Sequence, residues 1–382
     1  MHEHKQNQCK RKVKHRKNVM GLIIFCMTVG IAFMFTYYQN LRKEIFARQK
    51  WLETVLTGEK KWILENQGSE GEIYMNGSKA GDVNPYFACI AALGLLAETE
   101  NCPMTETEKK AVGRYLDWHT GILLETDGKM GIYRKESGKL IYKEKADSED
   151  GYLGMYLFLM GKYLEKTEST DLPEYWKKGI SLALKKIQSL MQDGITQVSE
   201  ENTTAYLMDN LEVWKGLYVL ELAGLKDVQA ISEMRKKIQE QIEKIFWDDA
   251  NQRWRIIGNS DLYHQEEFYP DGVAQIYPLI YEFPVKEKKK QKILYDQFTE
   301  KFQWQKLNKK RTGFLWAMTG MAAAQMGDIN NLVELIGNYE TEYCENRKYP
   351  LYTGEAGWIC MECGKLYGLY ERKIKTGFIL CA

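Results

Sequence analysis

Ala146-Asp147-Ser148-Glu149-Asp150-Gly151-Tyr152 opens a run that continues Leu153-Gly154-Met155-Tyr156-Leu157-Phe158-Leu159-Met160 and ends near Leu164. Apolar residues fall on every face of the 3.6-residue period, which predicts a helix surrounded by other helices. Its first turn nevertheless carries Asp147, Glu149 and Asp150. Ionised carboxylates are costly to bury unless they are paired or wet. A buried helix whose N-terminus opens into a charged, aromatic-rimmed hollow satisfies both conditions.

Five further helices of this apolar kind are expected, at residues 85–97, 204–223, 270–281, 312–326 and 354–370. Each apolar helix follows an amphipathic one, at residues 42–64, 105–123, 173–191, 227–246, 285–302 and 329–339. The sequence shows little strand apart from short hairpins near Gly131-Ile132-Tyr133 and Arg253-Trp254-Arg255-Ile256. Six outer–inner hairpins that bury their apolar faces against one another predict an all-α (α/α)6 toroid. An open helical solenoid is the second arrangement, but it would need more uniform repeats. The outer-to-inner loops are long and varied, whereas the return loops are short. That asymmetry gathers loop material around the inner-helix N-termini, the usual place for binding residues on a rigid scaffold.

The 382 residues carry a net charge of +1, which gives no argument for a nucleic-acid partner. Residues 1–18 form a basic tail with Lys5, Lys10, Arg11, Lys12, Lys14, Arg16 and Lys17. Residues 19–39 are uncharged and end in Phe35-Thr36-Tyr37-Tyr38. About 20 apolar residues are needed to cross a bilayer. The basic flank predicts a cytoplasmic N-terminus, and the long core with an aromatic belt favours an uncleaved anchor over a signal peptide. Residues 40–382 are then an extracytoplasmic domain at the cell membrane. Cys360-Met361-Glu362-Cys363 lies in a helical pattern with no second pair or His pair nearby, so it reads as buried thiols rather than a metal site. Neither a metal nor an organic cofactor is expected.

Acids and aromatics recur at the expected inner-helix N-termini. The residues standing there are Asp82, Asn84 and Tyr86; Asp147, Asp150 and Tyr152; Asp209, Glu212 and Trp214; Asp271; Arg311, Thr312 and Trp316; and Glu355 and Trp358. Any one of the acids could serve as a cap or a dipole-favoured charge. Their recurrence at one rim suits carbohydrate, because ring faces stack on sugars and carboxylates accept hydrogen bonds from hydroxyls. Two carboxylates also suffice for glycoside hydrolysis, one protonating the leaving oxygen and the other activating water or attacking. Helix dipoles lower carboxyl pKa values, so the proton donor needs burial or a like-charged neighbour.

The ordered series Asn84-Pro85-Tyr86-Phe87-Ala88, Asp147-Ser148-Glu149-Asp150-Gly151-Tyr152, Asp209-Asn210-Leu211-Glu212, Pro270-Asp271-Gly272-Val273-Ala274-Gln275 and Gly354-Glu355-Ala356-Gly357-Trp358 resembles the six-hairpin glycosidase superfamily over about residues 45 to 372. The resemblance implies an (α/α)6 toroid with a sugar cleft at the inner-helix N-termini. Residues 147–152 are also similar to the Ala-Ser/Thr-Asp-Ala-Asp signature of family 8 glycoside hydrolases, with one extra residue between the acids. Ser69-Glu70-Gly71 is similar to that family's general-acid motif, but here it precedes a loop.

The expectation is a membrane-anchored glycoside hydrolase acting on a polysaccharide or oligosaccharide. Asp150 is the first catalytic candidate, with Asp147, Asp271 and Glu355 as candidate catalytic partners and Asp209 and Glu212 as candidates for its partner or for subsite contacts. Asp82, Asn84, Tyr86, Tyr152, Asp209, Glu212, Trp214, Trp316 and Trp358 are the candidate sugar contacts. A non-catalytic polysaccharide-binding or assembly protein is the alternative. So is a polysaccharide lyase, with His119, His264 or a tyrosine as base and Arg311 meeting a uronate.

Overall fold

The computed structural model describes residues 2–77, 81–136, 139–169, 172–225, 228–258, 260, 267–307 and 313–381. The side chains of 2–19, 21, 22, 24, 228 and 376–381 are outside that description. The expected sites His264, Arg311 and Thr312 and the tail's basic side chains therefore lie outside it. The backbone divides into two units, residues 1–51 with 367–382 and residues 52–366.

Twelve α-helices are present among the described residues. They are α1 (His2–Glu65), α2 (Pro85–Leu95), α3 (Glu106–Glu125), α4 (Glu149–Thr167), α5 (Glu174–Leu190), α6 (Leu207–Leu222), α7 (Val228–Phe246), α8 (Val273–Ile280), α9 (Lys288–Phe302), α10 (Thr319–Met326), α11 (Ile329–Tyr339) and α12 (Thr353–Cys381). The alternation matches the sequence pattern. On α4 every residue from Glu149 to Gly161 is buried, whereas α5 buries one stripe through Trp176, Ile180, Ala183 and Ile187.

The even-numbered helices form the inner ring of the larger unit. Neighbours pack in the order α2–α4–α6–α8–α10. Gly320 of α10 then abuts Glu362 of α12, and Gly94 of α2 abuts Gly357 of α12. The ring is therefore closed, and the solenoid alternative is excluded.

Two expected hairpins and two local departures from expectation bear on the site. The hairpin expected near Gly131 is present as β2 (Gly131–Glu136) and β3 (Lys139–Lys145), joined by β1 (Asp82–Val83) in a three-stranded antiparallel sheet, and the one expected near Arg253 pairs Trp247–Asp248 with Arg253–Trp254; Met191–Gln192 and Ile195–Thr196 form a further pair. The N-terminal turn of α8 is a π-helical turn, Phe268–Gly272. α10 begins at Thr319 rather than near residue 312, and Trp316 precedes it with φ +58°.

In the smaller unit, Phe25, Met27, Phe33 and Phe35 of α1 are exposed. Among the described residues no helix is long and apolar enough to cross a membrane. The expected span includes residues 19, 21, 22 and 24, whose side chains are not described.

The α2–α12 seam has no room for side chains. A Cβ on Gly94 would lie 2.5 Å from Gly357 Cα, and one on Gly357 would lie 2.3 Å from Ile90 O. Both neighbours are backbone and cannot turn aside. Gly357→Ala gains about 1 kcal/mol of helix propensity but should lose about 1–3 kcal/mol more than that to overpacking. A lowered urea midpoint relative to the parent chain checks this.

Candidate active site

The inner-helix N-termini surround a cleft of about 580 Å³. Its carboxylates are Asp82, Glu144, Asp147, Asp209, Glu212 and Glu355. Its aromatic lining includes Tyr86, Tyr152, Tyr269, Tyr277, Trp316 and Trp358. Ile132, Glu144 and Lys145 of the β2–β3 hairpin form one side wall.

Glu212 sits at the floor, 2 % exposed, in the second turn of α6. Its Oε1 accepts hydrogen bonds from the hydroxyls of Tyr86 (2.5 Å), Tyr277 (2.6 Å) and Tyr281 (3.2 Å). Burial pushes its carboxyl up to about 7, against the downward pull of the phenol donors. All three phenols are held well above their ordinary value, chiefly by burial, and so remain donors.

Asp209 lies three residues earlier on the same helix and faces the same cleft. Burial raises its carboxyl well above the usual range, and the neighbouring charges of Asp150 and Glu212 raise it further. The site depends on a missing side chain at residue 151. A Cβ on Gly151 would meet Glu212 Oε2 at 2.7 Å and Asp209 Oδ1 at 3.5 Å.

Asp147 is exposed on the cleft wall. It is not the α4 cap, because the Ser148 side chain accepts the Gly151 N–H in that role. Asp150, the first catalytic candidate from sequence, is fully buried behind the wall. Its Oδ1 accepts from Ser148 Oγ (2.8 Å) and Gly151 N (3.0 Å), and its Oδ2 accepts from Thr196 Oγ1 (2.6 Å). Burial pushes this carboxyl up to about 6. It fastens the 195–196 strand to α4 and does not line the cleft. Asp271 is likewise fully buried, inside the π-helical turn, and lines no part of the cleft.

Glu355 lines the cleft but is committed to backbone. Oε1 accepts from the N–H groups of Leu315 and Trp316 (both 3.1 Å), and Oε2 from Ala317 (2.9 Å). Burial takes its carboxyl up to about 7 against those three donors. It holds the turn that presents Trp316, and that turn explains why α10 starts late.

Asp82 pairs with Arg134 (2.6 Å) and Lys143 (2.8 Å) on the small sheet, and the Arg134 hydrogen bond holds its carboxyl below the usual range. Asn84 caps α2 by accepting the Tyr86 N–H at 2.9 Å, and it also hydrogen-bonds Tyr152. Tyr86 and Tyr152 line the cleft with ring centroids 5.7 Å apart.

Trp214 is corrected outright. It packs on Tyr218 and Phe283 between helices, its indole N–H donates to Gln239, and it does not line the cleft. Trp358 lines both this cleft and a separate cavity of about 220 Å³ at the inner-helix C-terminal ends.

Tyr269, Tyr277, Tyr281 and Phe314 were not singled out from sequence. The i, i+4 spacing of Tyr277 and Tyr281 on one face of α8 was the signal available. His119 is not a cleft residue. Its Nδ1 lies 3.2 Å from the Tyr115 hydroxyl in the core, and burial lowers its pKa to about 3. Among the described residues no cluster of His, Cys, Asp or Glu could hold a metal, and Cys360 and Cys363 are buried free thiols.

No family model matches the chain, and no curated protein matches it. Solved structures do. A glycosidase carrying a glutamate-to-alanine substitution aligns with TM-score 0.60 and 12% identity, over 86% of this chain and 98% of that one. A glycosidase variant in complex with glucose aligns with TM-score 0.58 and 11% identity, over 86% and 98%. A D-mannose isomerase gives TM-score 0.54 and 12% identity, over 83% and 97%. A type II terpene cyclase from Scytonema gives 0.52 and 11%, over 85% and 99%. These matches give the chain a six-hairpin, glycosidase-like fold. Hydrolysis, isomerisation and cyclisation all occur on that fold, so the chemistry must be argued from the cleft.

Glu212 makes stability depend on pH with a defined sign. Its carboxyl binds a proton more tightly folded than unfolded, so its contribution is greatest below about 4.5 and is lost as pH rises through about 7. The loss is on the order of 3 kcal/mol. In Glu212→Gln the fall in urea midpoint between pH 5 and pH 8 should be smaller than in the parent chain.

Proposed function

We propose that the protein is a glycoside hydrolase whose proton-holding carboxyl pair is Asp209 and Glu212. The supporting observation is the three-tyrosine clamp on Glu212 at the floor of the cleft. It fixes one carboxyl in a nearly dry site, and Asp209 shares that field from one turn away. Burial raises both carboxyls, so at neutral pH the floor of the cleft holds a proton. Asp209, the less buried of the two, is the general acid toward the glycosidic oxygen. Glu212 is a positioning residue, since its Oε1 already accepts three hydrogen bonds. Asp147 on the wall is the base toward water. Asp150 and Asp271 have no catalytic part in this scheme.

The cleft chemistry favours a neutral sugar. Its charged lining is mostly carboxylate, and Lys145 is committed to Glu149 and Glu201. A uronate would be repelled, and burial holds the lining tyrosines in the protonated form a lyase base cannot use. The solved glycosidase with glucose bound is consistent with a carbohydrate ligand.

The membrane anchor belongs to the same reading. We place the basic residues 1–18 in the cytoplasm, residues 19–39 in the bilayer and the catalytic unit outside. The exposed Phe25, Phe33 and Phe35 are the kind of apolar surface that a membrane covers. Fractionation of cells expressing the full chain should recover it in membranes after an alkaline wash.

The full chain, incubated with defined neutral oligosaccharides, should release shorter sugars. Asp209→Asn should lower turnover by about 10²–10⁴-fold with binding retained, and parent turnover should fall as pH rises above about 7. Sugar binding with no turnover by the parent chain would instead make it a polysaccharide-binding protein.

A further inference from the structure

The cleft is asymmetric. On the hairpin side its lining residues Ile132, Glu144 and Lys145 carry no rings. On the opposite side a strip of five aromatic rings runs from the cleft to the surface. Tyr269 packs against Trp316 (ring centroids 4.7 Å apart), and Trp316 against Phe314 (6.1 Å). Phe314 packs against Tyr352 (5.5 Å), and Tyr352 against Tyr349 (6.2 Å).

Tyr269, Trp316 and Phe314 line the cleft, whereas Tyr349 is 71 % exposed. The outer end is built rather than incidental. The Tyr349 hydroxyl occupies the space over Gly313, where a Cβ would lie 2.7 Å from it, and Gly313 has φ +78°. The inner end is held by Glu355, whose three backbone hydrogen bonds fix the turn carrying Trp316. A large exposed ring that continues a binding cleft needs an occupant with apolar faces repeated along its length.

We propose that this strip is a chain of subsites for a polymeric neutral glycan, which enters over Tyr349 and ends at the Asp209–Glu212 floor. The proposal rests on the carbohydrate reading of the cleft and adds that the substrate is a chain longer than a disaccharide. Successive sugars stack on Tyr349, Tyr352 and Trp316, and the terminal unit lies among Tyr86, Tyr152 and Tyr269. Because Tyr349 is exposed, its truncation removes a contact without opening the core.

The test compares the full chain with Tyr349→Ala on matched disaccharides and hexasaccharides of glucose, xylose and N-acetylglucosamine. Turnover is measured by product analysis and affinity by calorimetry. The parent chain should prefer a hexasaccharide over its disaccharide. Tyr349→Ala should lower kcat/KM for the hexasaccharide by about three- to tenfold, with the disaccharide unchanged. Equal losses at both lengths, or none at either, overturn the strip. If the parent chain binds a hexasaccharide more tightly than the disaccharide without cleaving it, and Tyr349→Ala removes the difference, the strip stands and hydrolysis falls. If it shows no length dependence in binding or turnover, the strip falls whatever the chemistry.

Discussion

The backbone-to-backbone approach of α4 and α6 governs everything above them. A Cβ on Gly154 would lie 2.7 Å from Val213 N, one on Gly216 would lie 2.3 Å from Gly154 O, and one on Gly161 would lie 2.8 Å from Leu220 N. Three glycines along one seam let two apolar helices run at contact distance with their N-termini level. The first turn of α4 therefore faces the first turns of α6, and Gly151 leaves space where Asp209 and Glu212 converge. The carboxyl pair follows from how closely the helices pack.

Charge differs between the two mouths of the inner ring. Acids collect at the N-terminal mouth, while Lys162, Lys166, Lys215 and Lys365 line the cavity at the other end together with Glu98 and Glu282. Lys215 is buried there and pairs with Glu282 at 2.7 Å. Burial nevertheless outweighs the dipole at the acid end, since Glu212 and Glu355 are both pushed up to about 7. A fixed partial charge within one turn is worth about 0.3–1 kcal/mol. A pKa rise of two to three units corresponds to roughly three times that or more.

The alternation of helices was legible because burial on all faces and burial on one stripe leave different periodicities. The rim was legible because loop lengths differ between the two ends. The roles of individual acids were not. Asp150 and Asp209 each stand in the first turn of an inner helix, yet one turns back to Thr196, a partner 46 residues away. Nothing local marks that difference. The place of Trp214 was legible too, since at 100° per residue it lies on the opposite side of α6 from Glu212. Asp271 fell inside a π-helical turn, where the α-helical period does not hold. Residues 313–318 look helical in composition, but three of their N–H groups are taken by Glu355, and the helix waits until Thr319.

The glycine contact between α2 and α12 has a bearing on biosynthesis. The first inner helix to leave the ribosome finds one of its two neighbours only when the last has been made. Until then one flank of α2 has no protein to cover it. Pairing across so long a stretch of chain is slow, because loop-closure entropy must be overcome before the contact stabilises anything. The ring thus closes only once its sixth inner helix has been made, and a chain lacking that helix would keep an open, apolar edge.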